Sequence, residues 1–157
     1  VSKLAIRPYR DADIPGILGL WRAAGLIVPL EEPDRDIRSA RASGLGDVFV
    51  ADFAGPLLAT IMVGHETHRG WLYYLAVDPA CQRRGLGRAM VRYAEKWLHV
   101  RGVPKVMLMI REDNLAVRGF YDRLGYRDEP RRMMSRMLTT DDIGQSPAQR
   151  PRAAARR

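Results

Sequence analysis

The residues whose types and spacing most plainly carry chemistry are Gln82-Arg83-Arg84-Gly85-Leu86-Gly87-Arg88. They follow an apolar run, Trp71-Leu72-Tyr73-Tyr74-Leu75-Ala76-Val77, and a turn, Asp78-Pro79-Ala80-Cys81, and they open an amphipathic stretch that stops at Gly102. A strand that feeds a basic, glycine-containing turn into a helix N-terminus makes an anion site. The first helical N–H groups have no intrahelical partner, the macrodipole places about half a positive charge there, and Gly85 and Gly87 let backbone approach a ligand. Arg83, Arg84 and Arg88 add full charges, so a pyrophosphate is the ligand the site suits. The run lacks the Gly-Lys-Ser/Thr of a P-loop, and Met90 stands where a dinucleotide fingerprint needs a third glycine. Both absences argue against nucleotide hydrolysis and a Rossmann fold.

A second group lies in Asp113-Asn114-Leu115-Ala116-Val117-Arg118-Gly119-Phe120-Tyr121-Asp122-Arg123-Leu124-Gly125-Tyr126. Asn114 is an N-cap for a helix ending at Gly125. Tyr121 shares a helical face with Val117 and Leu124, which suits a core tyrosine as well as a phenol held near a reacting group. His65, Glu66, His68 and Glu112 fall in turns, as solvated residues or as proton acceptors. His65 and His68 with Cys81 lack the paired-cysteine spacing of a metal site, and no histidine is placed to activate Cys81 as a nucleophile.

The elements that would position these groups follow from periodicity. Ala5 to Tyr9 reads as a strand, and Asp11 or Asp13 as the N-cap of a helix carrying Ile14, Ile17, Leu18 and Trp21 to a stop at Gly25. Ile27 to Pro33 reads as a loop, and Asp34 to Ala42 as a short polar helix. Val48 to Phe53 and Leu57 to Gly64 form a hairpin that continues into the Trp71 to Val77 strand, an antiparallel meander. Strand alternation puts Tyr73 and Tyr74 on opposite faces. The helix from Gly85 to Arg101 carries Leu86, Ala89, Met90, Tyr93 and Trp97 on one face, with Arg92, Glu95, Lys96 and His99 largely opposite. Lys105 to Ile110 reads as a central strand, and Tyr126 to Arg127 with Met133 to Leu138 as two closing strands. The order β-α-α-β-β-β-α-β-α-β-β implies an α/β (α+β) fold with a mixed, mostly antiparallel sheet flanked by helices.

The 157 residues suit one domain with a sizeable core, and 46% hydrophobic with 28% charged residues is a globular composition. No apolar run reaches bilayer length, Val1-Ser2-Lys3-Leu4 lacks a signal-peptide core, and the single cysteine excludes an internal disulfide. A cytoplasmic location without membrane attachment is the expectation. The net charge of +8 lies in scattered arginines and in Arg150 to Arg157 rather than in one aromatic-interleaved stripe, which argues against a dedicated nucleic-acid binder and fits attraction of an anionic ligand. Beyond Thr139 the chain reads as a disordered basic tail.

The turn Gln/Arg-x-x-Gly-x-Gly/Ala at Gln82–Gly87 resembles the acetyl-coenzyme A loop of the GNAT acetyltransferases. Asn114 to Tyr126 is similar to their Asn-x-x-Ala-x-x-x-(Leu/Phe)-Tyr-x-x-x-Gly-(Phe/Tyr) segment, and the element order matches over residues 4–138, the expected N-acetyltransferase domain. The resemblance implies acetyl transfer from acetyl-coenzyme A to an amine by direct attack, with no metal. It implies that backbone groups of Leu75, Ala76 and Val77 hold the pantetheine arm and acetyl carbonyl, and that Gln82, Arg83, Arg84, Gly85, Leu86, Gly87 and Arg88 take the pyrophosphate. Tyr121 then protonates the leaving thiolate, Asn114 touches the cofactor arm, and the helix from Asp34 covers the acceptor pocket. Some family members place a glutamate base where this chain has Met109, so His65, Glu66, His68 and Glu112 remain the candidates. The acceptor is a small-molecule or protein amine, and a homodimer is implied by resemblance alone. Two other readings stay open: a coenzyme A-binding module without catalysis, and a basic nucleic-acid or ribosome-associated protein.

Overall fold

The computed structural model describes residues 4–27, 32–53, 55–136 and 138. Five strands lie side by side in chain order: β1 (Ala5–Pro8), β2 (Gly46–Asp52), β3 (Leu57–His65), β4 (Gly70–Val77) and β5 (Val106–Met107). The helices are α1 (Ile14–Ala23), α2 (Pro33–Ala42), α3 (Leu86–Val100) and α4 (Leu115–Arg123). β1 to β4 form an antiparallel meander, while β5 joins β4 in parallel because α3 carries the chain back across the sheet.

Both faces of the sheet are covered, which explains why β2 and β3 read as continuous apolar runs. On one face Phe49, Ala51, Ile61, Val63 and Leu72 pack with Met90, Val91, Ala94 and Leu98 of α3. On the other, Val48, Val50, Met62 and Ala76 meet Ile14, Ile17 and Trp21 of α1 and Ile37 of α2. The indole of Trp21 donates to Thr60 Oγ1 at 2.9 Å, and both residues are fully buried.

Three local expectations differ. Asp11–Asp13 forms a short 3-10 turn, and Asp13, the residue before α1, does not cap that helix with its side chain. Its carboxylate instead accepts from the Arg10 amide at 2.6 Å and from the Arg7 guanidinium at 2.7 Å, and Arg7 also donates to Asp52 at 2.9 Å, tying the entry of α1 to β1 and β2. The strand expected over Lys105 to Ile110 is reduced to Val106–Met107. Of the two closing strands expected over Tyr126 to Arg127 and Met133 to Leu138, the described residues 126–127, 133–136 and 138 belong to no strand. Met133, Met134 and Leu138 are 75%, 93% and 75% exposed, so pairing there would gain no burial to offset its ordering entropy. The tail expected beyond Thr139 and most of the loop from Ile27 lie outside the described residues. Among the described residues no helix is long and apolar enough to cross a membrane.

Replacing Thr60 with Val leaves the buried indole N–H of Trp21 without an acceptor. Urea unfolding is expected to show a loss of about 1–3 kcal/mol with an unchanged m-value.

Candidate functional site

The site begins with an irregularity in β4. Thr60 pairs with Ala76 but Met62 pairs with Tyr73, so Tyr74 and Leu75 together face Ile61. One extra residue sits in β4, and Tyr74 takes φ of 49°, a left-handed conformation that costs a non-glycine residue on the order of 1 kcal/mol or more. Stacking of its ring on buried Trp21, centroids 4.2 Å apart and planes 13° apart, holds it there. The bulge cancels the expected alternation: Tyr73 and Tyr74 do not take opposite faces but line the same cavity, about 480 Å³, between α2 and the sheet. Tyr73 remains 37% exposed, and burial, followed by the charge of Glu66, raises its pKa.

On its other edge β4 pairs with β5 only at Gly70 and Trp71. From Leu72 to Val77 alternate N–H and C=O groups of β4 therefore face away from β3 into a gap, and these include groups of the predicted Leu75, Ala76 and Val77 run. A cavity of about 610 Å³ opens beside the parting, lined by Trp71, Val106 to Ile110 and Tyr121 among others.

The turn after β4 is built by Asp78, whose carboxylate accepts from the Ala80 amide at 2.8 Å, and by Gln82, whose amide donates to the Val77 carbonyl at 3.3 Å. Arg83 and Gly85 follow with φ of 59° and 85°. The first bond into α3 is Ala89 N–H to Gly85 O, so the amides of Leu86, Gly87 and Arg88 in the first turn have no intrahelical acceptor. Arg83, Arg84 and Arg88 are exposed and make no ion pair among the described residues. A row of free amides at a helix N-terminus, ringed by three unpaired guanidinium groups, suits a diphosphate. Gly85 supplies the left-handed turn. Gly87 has a packing task as well: a Cβ there would lie 3.3 Å from the Phe120 ring, so glycine lets α4 close on α3.

Asn114 caps α4 as expected, its side chain accepting from the Val117 amide at 3.2 Å. Tyr121 is 7% exposed, with its ring edge-on to Phe120 and Tyr126, and burial pushes its phenol up to about 12. The Tyr126 hydroxyl donates to Glu95 of α3 at 2.7 Å, which pins the end of α4 to α3. Glu95 reads as a solvent-facing residue in the sequence, and no local spacing announces a partner 31 positions away. Of the base candidates, His65 lines the cavity under α2; Glu66, paired with Arg69 at 3.5 Å, His68 and Glu112 are exposed and line neither cavity described above. Met109, 61% exposed, has no titratable group. Among the described residues no three His, Cys, Asp or Glu side chains gather as a metal site.

A bulged, one-sided β4 leading into a basic helix entry suits an acyl-coenzyme A type of ligand. The sequence pattern of the Acetyltransferase (GNAT) family matches residues 18–126. Solved structures with this fold include an acetyltransferase of Trypanosoma brucei (22% identity, TM-score 0.69, covering 86% of this chain and 100% of that one). A second is the glucosamine-6-phosphate N-acetyltransferase of Arabidopsis thaliana (19%, 0.70, 87% and 99%). A third is an aminoglycoside N-acetyltransferase in complex with coenzyme A (15%, 0.77, 88% and 97%). At these identities the structures show a shared fold. The chain belongs to the GNAT acetyltransferase family. Enzymes of this family are N-acetyltransferases that take their acetyl group from acetyl-coenzyme A.

The raised phenol of Tyr121 links the site to stability. Its folded pKa of about 12 exceeds the ordinary 10.0, so the unfolded chain loses this proton first. The stability associated with the neutral phenol is complete below pH 10 and falls as pH rises toward 12, by about 2 kcal/mol. Denaturation midpoints between pH 9 and pH 11.5 are expected to decline less steeply in Tyr121→Phe.

Proposed function

We propose that this protein moves the acetyl group of acetyl-coenzyme A directly onto an amine. The observation that carries the reading is the parting of β4 from β5, with the buried Tyr121 phenol on the cavity beside it and free amides at the head of α3. In this reading the amides and arginines of Gln82 to Arg88 hold the pyrophosphate, backbone groups of Leu75, Ala76 and Val77 hold the pantetheine arm and the thioester carbonyl, and Asn114 touches that arm. Acetyl-coenzyme A supplies an activated acyl carbon; the chain orders it, binds the charge that develops on its oxygen and excludes water.

The substrate ammonium first gives one proton to His65 or water; the neutral nitrogen then forms the new N–C bond, the C–S bond breaks, and the nitrogen releases a second proton to solvent to leave the neutral amide. Tyr121 donates to the departing sulfur and recovers its proton from solvent. A phenol near 12 is less acidic than an ordinary thiol at about 8.5, so hydrogen bonding to the developing thiolate is the larger part of its contribution. The acceptor is a small-molecule or protein amine, in keeping with the amine-bearing acceptors named for the glucosamine-6-phosphate and aminoglycoside enzymes. The reaction belongs in the cytoplasm, where acetyl-coenzyme A is available.

The test is steady-state kinetics of Tyr121→Phe with an amine panel. The expected result is kcat lowered about 10- to 100-fold, at the weak end for a general acid, with KM for acetyl-coenzyme A within about twofold. An unchanged kcat would remove Tyr121 from the chemistry, and absence of acetyl transfer by the folded wild type to any amine would overturn the proposal.

A further inference from the structure

Most acidic side chains around α2 already have a cationic partner. Asp34 is held by Arg38 at 3.1 Å, Asp47 by Arg41 at 3.0 Å and Glu32 by Arg35 at 3.2 Å. Asp36 differs. It is half-buried, it lines the cavity between α2 and β4, and among the described residues its carboxylate has no side-chain partner. In a chain of net charge +8, a half-buried carboxylate left unpaired in a cavity creates a local negative potential that a small cation would relieve.

Two aromatic side chains line the same cavity. Because of the bulge, Tyr73 and Tyr74 both face it, and the rings of Trp71 and Tyr73 lie within 17° of parallel with centroids 6.5 Å apart. Gly64, Gly46, Ser39, Ala40 and Ser43 are the small residues of the cavity lining. A carboxylate and an exposed aromatic ring bordering one cavity, with small residues in the rest of its lining, is the chemistry that recognises an alkylammonium group.

We infer that Asp36 and Tyr73 bind a second positive charge on the acceptor, so that the substrate class is a di- or polyamine, including polycationic amino sugars, rather than a monoamine. The inference rests on the acetyl-transfer reading above and names the acceptor of that same site. The nitrogen that attacks must be neutral, so recognition falls to the nitrogen that stays charged. Asp36 and Tyr73 then orient the acceptor without taking part in proton transfer.

The experiment compares cadaverine with n-amylamine, which has the same carbon chain and one amine, as acceptors and as ligands. The wild type is expected to show kcat/KM at least about tenfold higher for cadaverine, an excess that salt diminishes. Asp36→Asn and Tyr73→Leu are each expected to cut the cadaverine-to-amylamine ratio about fivefold, while Asp36→Glu retains most of it. Calorimetry of the coenzyme A-saturated protein with cadaverine reads the same preference without turnover. Cadaverine binding that depends on Asp36, with no acetylation, would keep this inference and sink the acetyl-transfer reading. Acetylation of both amines at equal kcat/KM, or a ratio unmoved in Asp36→Asn, would overturn the inference and leave acetyl transfer standing. A protein that neither binds cadaverine nor acetylates it overturns the inference as well.

Discussion

A strand left unpaired along one edge is a liability, because each exposed N–H and C=O must find a partner or remain solvated. In this protein β4 is in that position from Leu72 onward: β3 satisfies one edge, and β5 leaves the other after Gly70 and Trp71. The structure turns on this constraint. The open edge runs toward the turn that leads into α3, so unpaired groups of the strand edge and the free amides of the first turn of α3 lie along one stretch of chain. An extended ligand with amide groups along its length and phosphates at one end matches that sequence of partners.

Much of the rest of the fold keeps the edge open and rigid. Leu98 of α3 packs so close to Gly70 that a Cβ there would lie 2.5 Å from its Cδ1, which seats α3 against β4 where the pairing with β5 begins. Phe120 seats α4 on Gly87 in the first turn of α3, and the Tyr126–Glu95 hydrogen bond closes the far end. Tyr121 is fixed between these two contacts, and its burial raises the pKa of the phenol. On the opposite face, Trp21 holds both Thr60 and Tyr74, so the residue that secures α1 to the sheet also secures the bulge. Core packing and site geometry are therefore the same set of contacts, and a core substitution at Trp21 would disturb the site.

The parts legible in the sequence are those written in local spacing. The meander, α3 with its stop at Gly102, the Asn114 cap and the basic helix entry each depend on residues within a few positions of one another, and the structure has them where spacing puts them. The bulge is not legible in this way. Trp71-Leu72-Tyr73-Tyr74-Leu75 reads as an even alternation, and only the pairing of Ile61 against two residues, a relation across 13 to 14 positions, reverses the side taken by Tyr74. The same holds for Asp36, which in sequence is one more acid in a polar helix and becomes distinctive only because its neighbours are paired. Met133 to Leu138 reads as a closing strand, but apolar content alone gives no pairing when the side chains of Met133, Met134 and Leu138 face solvent.

Acetyl transfer here requires that the head of α3 and the open edge of β4 act together as one coenzyme A site. Isothermal titration of the wild type with acetyl-coenzyme A, beside a folded Arg84→Glu, Gly85→Glu double variant, tests this most directly. The expected result is micromolar or tighter one-to-one binding that the variant loses by about a hundredfold or more, since two carboxylates would occupy the place of the diphosphate. Equal binding by the two proteins, or none by the folded wild type, would contradict it.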